Sequence, residues 1–320
     1  MAVKTAAPSA AWGAPKLKAY AKLGKLAFFD FYLCVLIVWT ALPGDHLWRG
    51  STWLTLTLFL VGQVGVVAAT VAFDDLTGVR DGSDARNYTE RSGALRDLSR
   101  KPLLSGALTP GEAQAFAWGA AVWGVAFWAI TAAVAPYRPG WACALLLYVA
   151  LSSMQYSYGL KLSYRGGQEL LLISSSGLVV LLPYVLITGE VTGLVVLESL
   201  VFGLWSVLVS LYSNMNDIEG DRLAGRRNLA TLTGARTYRA VITVFTLAEP
   251  AAVVVAVGVG AVPVWFLAVL LPMLLLRVRQ WRTGVAQRQA LTARVLGIKT
   301  QRLGVLLLMA GNVLTVHVAG

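Results

Sequence analysis

Residues 194–213, LVVLESLVFGLWSVLVSLYS, run without a break into residues 214–221, NMNDIEGD. About 20 predominantly apolar residues suffice for a helix to cross the hydrocarbon core of a bilayer. A cluster of acids begins where the apolar run stops. The run is too long for a membrane β-strand and does not alternate in polarity. Eight further runs share its character, at 26–42, 52–73, 112–135, 141–158, 169–188, 239–260, 263–276 and 303–319. The 320-residue chain is 57% hydrophobic and 13% charged, about half the charged fraction of an ordinary soluble domain, with a mean hydropathy of +0.66. The expected fold is all-α: a polytopic membrane protein, a nine-transmembrane-helix bundle forming one domain over 26–320. Residues 1–25 begin with an Ala- and Pro-rich stretch and read as a disordered cytosolic tail. No cleavable signal pattern is evident, because the first long apolar run starts near Leu26 and more spans follow.

The net charge of +11 has a topological reading. With nine spans, Lys and Arg fall in the N-terminal tail, in the loop at 74–111 (Arg80, Arg86, Arg91, Arg96, Arg100 and Lys101), at Lys161 and Arg165, between Arg222 and Arg239, and within 277–302. Of all 27 basic residues, only Arg49 and Arg138 fall on the opposite side. The positive-inside rule then places the N-terminus in the cytoplasm and the C-terminus outside. The expected location is the cell membrane, with the lipid bilayer as a partner and no nucleic acid. The cytosolic loops are the long ones, so function is expected there. Cys34 and Cys143 lie inside apolar runs and read as packing residues.

Two acidic constellations sit on that side. The run at 52–73 leads directly into Asp74, Asp75, Asp81 and Asp84, and the run at 194–213 leads into Asn214, Asp217 and Asp221. If the helices continue, Asp74, Thr77 and Asp81 share one stripe, as do Asn214, Asp217 and Asp221, because neighbours are 100° apart. The two segments form a loose repeat four spans apart in the same orientation. Mg²⁺ takes oxygen ligands and commonly binds through one or two carboxylates plus substrate phosphates, so paired Asp clusters suit a metal-held diphosphate. Acids at helix C-termini also face the negative end of the dipole, which a bound cation would offset. Solvated loop charge is the plain alternative for one cluster; two clusters at matching positions weigh against it. A transporter would be expected to carry its acids near the midplane of inverted repeats, whereas these lie at span ends.

At these residues the chain resembles the UbiA superfamily of intramembrane prenyltransferases. Asp217 and Asp221 match its Asp-x-x-x-Asp motif. Gly225-Arg226-Arg227-Asn228-Leu229-Ala230 is similar to its Gly-Arg-x-Thr-Leu-Ala run. Arg100-Lys101-Pro102-Leu103-Leu104-Ser105-Gly106 is similar to its Arg-Pro-Leu-x-Ser-Gly segment, and Tyr156-Ser157-Tyr158-Gly159-Leu160-Lys161 to its Tyr-Ser-x-Pro-Pro-Leu-Lys stretch. The first family motif, Asn-Asp-x-x-Asp-x-x-x-Asp, is altered: Asp74 and Asp81 fit its outer acids, Phe73 replaces Asn and Thr77 replaces the middle Asp. Asp75 and Asp84 are candidate substitutes. The proline pair after Tyr158 is absent.

The resemblance implies nine helices with a cytosolic cap built from the loops after spans 2 and 6. It implies Mg²⁺ held among Asp74, Asp75, Asp81, Asp84, Asp217 and Asp221, an isoprenyl diphosphate donor and a lipophilic acceptor. Lys161 is the first candidate phosphate partner; Arg165, Arg100, Lys101 and Arg227 follow. Asn214, Tyr156 and Tyr212 are candidate substrate-binding residues. A membrane terpene cyclase of the same superfamily would ionise the same donor and need no acceptor. Asp30 and Glu249 lie within apolar runs and are functional candidates as intramembrane acids, while His46 and His317 read as bland.

Overall fold

The computed structural model describes residues 14–88 and 98–318. Residues 1–13, and with them most of the N-terminal tail, lie outside the described residues, as do Arg91 and Arg96. The described chain is helical throughout, with no strand among the described residues. We number the main helices α1 (Ala14–Leu23), α2 (Cys34–Ala41), α3 (Gly50–Arg80), α4 (Pro110–Val134), α5 (Gly140–Met154), α6 (Gln168–Thr188), α7 (Gly193–Leu223), α8 (Ala235–Gly258), α9 (Phe266–Trp281) and α10 (Ala290–Asn312). By length and composition, six described segments can cross a membrane: α3, α4, α6, α7, α8 and Ala290–Val318. Phe29–Ala41 and α5 are shorter apolar segments.

Local chemistry sets several of these boundaries. Thr109 caps α4: its hydroxyl accepts from the Glu112 amide, the Glu112 carboxylate accepts from the Thr109 amide, and Pro110 occupies the first turn. This reciprocal box satisfies donors that a helix start otherwise leaves open. Thr192 caps α7 in the simpler way, accepting from Val195. The third helix ends at Asp81, where Gly82 takes φ +73° and turns the chain into the short helix Ser83–Asn87.

Two helix pairs form the frame. A Cβ on Gly65 of α3 would lie 2.6 Å from the Gly124 backbone nitrogen of α4. A Cβ on Gly203 of α7 would lie 2.5 Å from the Ile173 carbonyl oxygen of α6. Backbones in membrane helices come this close only at small residues, where packing supplies the adhesion that water cannot. The pairs α3–α4 and α6–α7 each contain one of the two helices that end in acids.

The tail expectation needs correction over its described part. Residues 14–23 form α1, and Ala19 and Leu23 are buried against α3 and α4 in a cluster with Phe73 and Ala117. Lys16 pairs with Glu112 of the α4 cap. Small alanines let this segment dock, and its lysines find carboxylates there.

Two of the intramembrane acids, Asp30 and Glu249, are paired with arginines, whereas Glu198 of α7 is fully buried with neither carboxylate oxygen hydrogen-bonded. Asp30 accepts from Arg302 Nε at 2.6 Å and Nη2 at 2.9 Å, joining the first apolar segment to the last helix. Glu249 of α8, fully buried, accepts from Arg277 Nε of α9 at 2.6 Å and from Trp205 Nε1 of α7 at 2.5 Å. Removing one member of a buried pair strands the other charge and costs about 3–5 kcal/mol. Glu249→Ala should therefore lower the thermal unfolding midpoint in detergent strongly, while Glu249→Leu combined with Arg277→Leu should recover much of the loss. Equal destabilisation by single and double variants would show that the pair is not the cause.

Candidate active site

Helices α3 and α7 are each 31 residues long. Both outrun their apolar sections, so their acids stay helical. Asp74, Asp75 and Thr77 lie in the last turns of α3, with Asp81 as its C-cap. Asn214, Asp217 and Asp221 follow one another at i, i+3 and i+7 on α7, a single stripe. The two ends meet across a cavity of about 660 Å³, lined by Asp74, Asp84, Asn214, Asp217 and Asp221 together with Tyr156. Arg226, Lys101, Arg100 and Lys25 also line it.

Each acid has its own environment. Asp74 Oδ1 accepts from the Ser157 hydroxyl at 2.6 Å and from Arg226 Nη2 at 3.2 Å. Asp75 is one residue on and faces elsewhere. It is fully buried, with Oδ1 2.7 Å from Lys101 Nζ and 3.7 Å from Lys25 Nζ. Asp84 comes back over α3, where a Cβ on Gly78 would meet its Cγ at 2.6 Å. Its two oxygens accept from the same Lys101 amine at 2.9 and 2.8 Å. Burial pushes the Asp84 carboxyl up to about 6; Lys101 opposes the rise, while Asp75 and Asp74 add to it. For Lys101, burial lowers the amine but Asp75 and Asp84 outweigh it, so its proton is held more tightly than usual. Lys101 is thus a fixed cation inside the first acidic cluster, and Asp75 is engaged with it rather than open to the cavity.

Asp81 is absent from the cavity lining. It accepts from the Tyr164 hydroxyl at 2.5 Å and from the Ser83 amide at 2.9 Å. Burial raises its carboxyl, but these bonds and the Arg226 charge hold it below the usual range. Tyr164 also receives Arg226, whose Nη2 lies 3.3 Å from the phenol oxygen, with the guanidinium over the ring. Asp81 therefore holds the wall that places Arg226. Asp221 accepts from Asn228 Nδ2 at 3.0 Å and from Asn87 Nδ2 at 3.4 Å. The altered positions of the first motif have become packing: Phe73 stacks on Tyr158 with centroids 4.4 Å apart, and Thr77 donates to the Ser157 carbonyl at 2.9 Å.

The cations divide differently from the sequence expectation. Arg227 is exposed, whereas its neighbour Arg226 reaches Asp74. Both belong to the Gly-Arg-Arg-Asn run, and only the fold shows which one turns inward. Lys161 and Arg165 are exposed and absent from the cavity lining; Lys161 lies over the outer Tyr164 ring at 5.1 Å. Tyr212 is buried in the packing between α7 and the 282–286 turn, not in the cavity. Arg100 and Lys101 do line the cavity, as does Tyr156. Arg226, Asn228 and Asn87 were not singled out by sequence. The available signal was the polar residue flanking each motif.

Among the described residues, no three His, Cys, Asp or Glu side chains form a ready metal cage. Asp217 and Asp221 stand one turn apart on α7, with Asp74 and Asp84 across the cavity. That donor set fits Mg²⁺ in its common mode, with one or two carboxylates and the remaining ligands from phosphate and water.

A second chamber of about 210 Å³ opens beside the first and shares Asp74, Tyr156, Val71, Leu172, Ser176 and Phe31 with it. Its remaining wall is mostly apolar. An acidic and cationic vestibule thus leads into a hydrocarbon-like recess.

Comparison with known proteins supports this architecture. Among curated proteins no sequence match is found. A UbiA homolog from Aeropyrum pernix K1 is similar in structure, with a TM-score of 0.64 and 18% identity over 90% of this chain and 96% of that one. A structure concerning digeranylgeranylglyceryl phosphate synthase has a TM-score of 0.62 and 16% identity, covering 93% and 99%. A UbiA homolog from Archaeoglobus fulgidus bound to DMAPP and Mg²⁺ has a TM-score of 0.58 and 14% identity, covering 90% and 98%. The family profile of the UbiA prenyltransferases matches residues 31–314, and the chain belongs to that family.

Proposed function

We propose that this integral membrane protein is a Mg²⁺-dependent prenyltransferase. It ionises an isoprenyl diphosphate and transfers the prenyl group to an aromatic or other lipophilic acceptor. One observation carries the reading: carboxylates from two helix ends and the guanidinium of Arg226 converge where a polar vestibule meets an apolar recess. The relative with bound DMAPP and Mg²⁺ supports the donor class and the metal. In the same reading the chain crosses the membrane nine times, with the N-terminus and the acidic ends in the cytoplasm.

Asp217 and Asp221, with Asp74 opposite, are the proposed carboxylates for Mg²⁺, and Asp84 lies beside them. When bound, the metal neutralises the diphosphate and stabilises the negative charge that grows as it leaves. Arg226 and Arg100 supply fixed positive charge toward the same oxygens, in a site where such charge needs no reorganisation. The bond from the allylic C1 to the diphosphate oxygen breaks, and its electron pair leaves with the diphosphate. The acceptor then forms a bond to C1 and gives up a proton. Tyr156, at the junction of the two chambers, is placed to present its ring to the allylic cation. Lys101 keeps the first cluster neutral enough to remain assembled, and Asp81 acts through Tyr164 on Arg226. In this reading residues 81–88, 98–109 and 224–234 belong to a cap on the aqueous side of the vestibule.

Purified protein with a panel of prenyl diphosphates, with Mg²⁺ or EDTA, tests this directly. Diphosphate release should require Mg²⁺, and Asp217→Asn with Asp221→Asn should reduce it by on the order of 100-fold or more. Product formed without any acceptor would instead identify a cyclase, and no release from any donor would overturn the reading.

The two neighbouring arginines give a sharper comparison. Arg226→Leu should slow release by about 100- to 1,000-fold, the usual cost of losing one preorganised donor. Arg227→Leu, an exposed side chain, should leave the rate close to wild type. The reverse order would move the phosphate contact to the other side of the loop.

A further inference from the structure

We infer that the second chamber takes the prenyl tail and that Trp128 is its floor, limiting the donor to about three isoprene units. This rests on the proposed prenyl diphosphate chemistry and deepens it by naming the chain length and the residues that set it.

The chamber begins at Asp74, where the diphosphate end is held, and reaches Gln63 on the same helix. Eleven residues at 1.5 Å each separate them along α3, a depth of about 16 Å. An extended carbon chain advances about 1.2 Å per bond, judging from a backbone that covers about 3.6 Å in three. An isoprene unit places four bonds along the chain, so each takes about 5 Å and about three units fill the depth. Trp128, Phe202, Val149 and Val179 line the chamber and are buried, and Trp128 stands at the level of Gly62, far from Asp74.

Three polar groups of the wall are bonded to other parts of the protein. Gln63 donates to the Phe31 carbonyl at 2.6 Å and accepts from the Cys34 thiol. Thr70 donates to the Val66 carbonyl at 2.8 Å, and Ser175 to the Leu171 carbonyl at 2.6 Å. With those donors spent, the chamber suits a hydrocarbon better than a polar acceptor.

Trp128 is a fixed stop rather than a swinging gate. Its indole donates to the Phe59 carbonyl at 3.0 Å and stacks on the Phe59 ring with centroids 5.3 Å apart. The face of α3 beneath it is Gly62, where a Cβ would overlap the indole ring. Gly62, three residues before the Gly65 contact with α4, therefore seats the floor.

Val67 lies on the wall, seven residues above the diphosphate end along α3. That is about 10 Å, or two units. The two positions should move length preference in opposite directions. With geranyl, farnesyl, geranylgeranyl and geranylfarnesyl diphosphates, wild-type kcat/KM should peak at farnesyl and fall about tenfold or more at the next unit. Trp128→Leu should shift the peak to geranylgeranyl, and Val67→Phe should shift it to geranyl. A farnesyl diphosphate analogue with a terminal photoreactive group should label wild-type protein at Trp128 or Val179, which needs no variant to fold. Unchanged preference in both active variants, or labelling confined to α1 and α10, would overturn the inference while leaving the proposed chemistry intact. A wild-type protein that consumes no donor would overturn both.

Discussion

Acids collected at the C-terminal ends of two helices repel one another and face the negative poles of both dipoles. Next to a low-dielectric interior that repulsion is weakly screened, and the arrangement persists only because cations are built into it. Lys101 joins Asp75 and Asp84, Arg226 joins Asp74, and Lys25 approaches Asp75 from the segment before the first span. These contacts tie the 98–109 loop, the 224–234 loop and the segment at Lys25 to the end of α3. The loops beside the cavity are thus held in place by charge. The N-terminal helix itself docks through buried Ala19 and Leu23, with Lys16 paired to Glu112 of the α4 cap.

The departures of the first motif fit this organisation. Phe73 and Thr77 stand where the family has Asn and Asp, and both have become structural, one stacking on Tyr158 and the other bonding the Ser157 carbonyl. Where α3 carries Thr77 instead of a carboxylate, Asp84 reaches back from outside the helix across Gly78. Acidity near the cavity is conserved in amount but redistributed, with one portion compensated by an ammonium group. Under the proposed chemistry, less negative charge would remain to draw a free metal ion, and more of its ligands would come from the phosphate it accompanies.

Helix positions were legible because apolar runs of this length have few alternatives in a bilayer. The motif order was legible because both acidic stretches continue a helix whose period fixes their faces. Inward and outward choices within loops were not. Arg226 and Arg227 are adjacent and chemically alike, and only the bond to Asp74 separates them. Lys161 sits beside the Tyr156-Ser157 pair in sequence, yet its left-handed backbone carries it outside the cavity. Asp75 and Asp74 are neighbours with opposite fates, since one faces Lys101 and the other the cavity. The helix at 14–23 was missed because an alanine- and lysine-rich segment is stable only once it finds a surface to dock on.

The most direct test concerns the metal itself. Mn²⁺ can stand in for Mg²⁺ and be followed by electron paramagnetic resonance as it titrates onto the purified protein, with and without inorganic diphosphate. Tight binding only when diphosphate is present, lost in Asp217→Asn/Asp221→Asn, is the expected result for a site that shares its metal with the substrate. Equally tight binding without diphosphate, or binding indifferent to those two carboxylates, would contradict it.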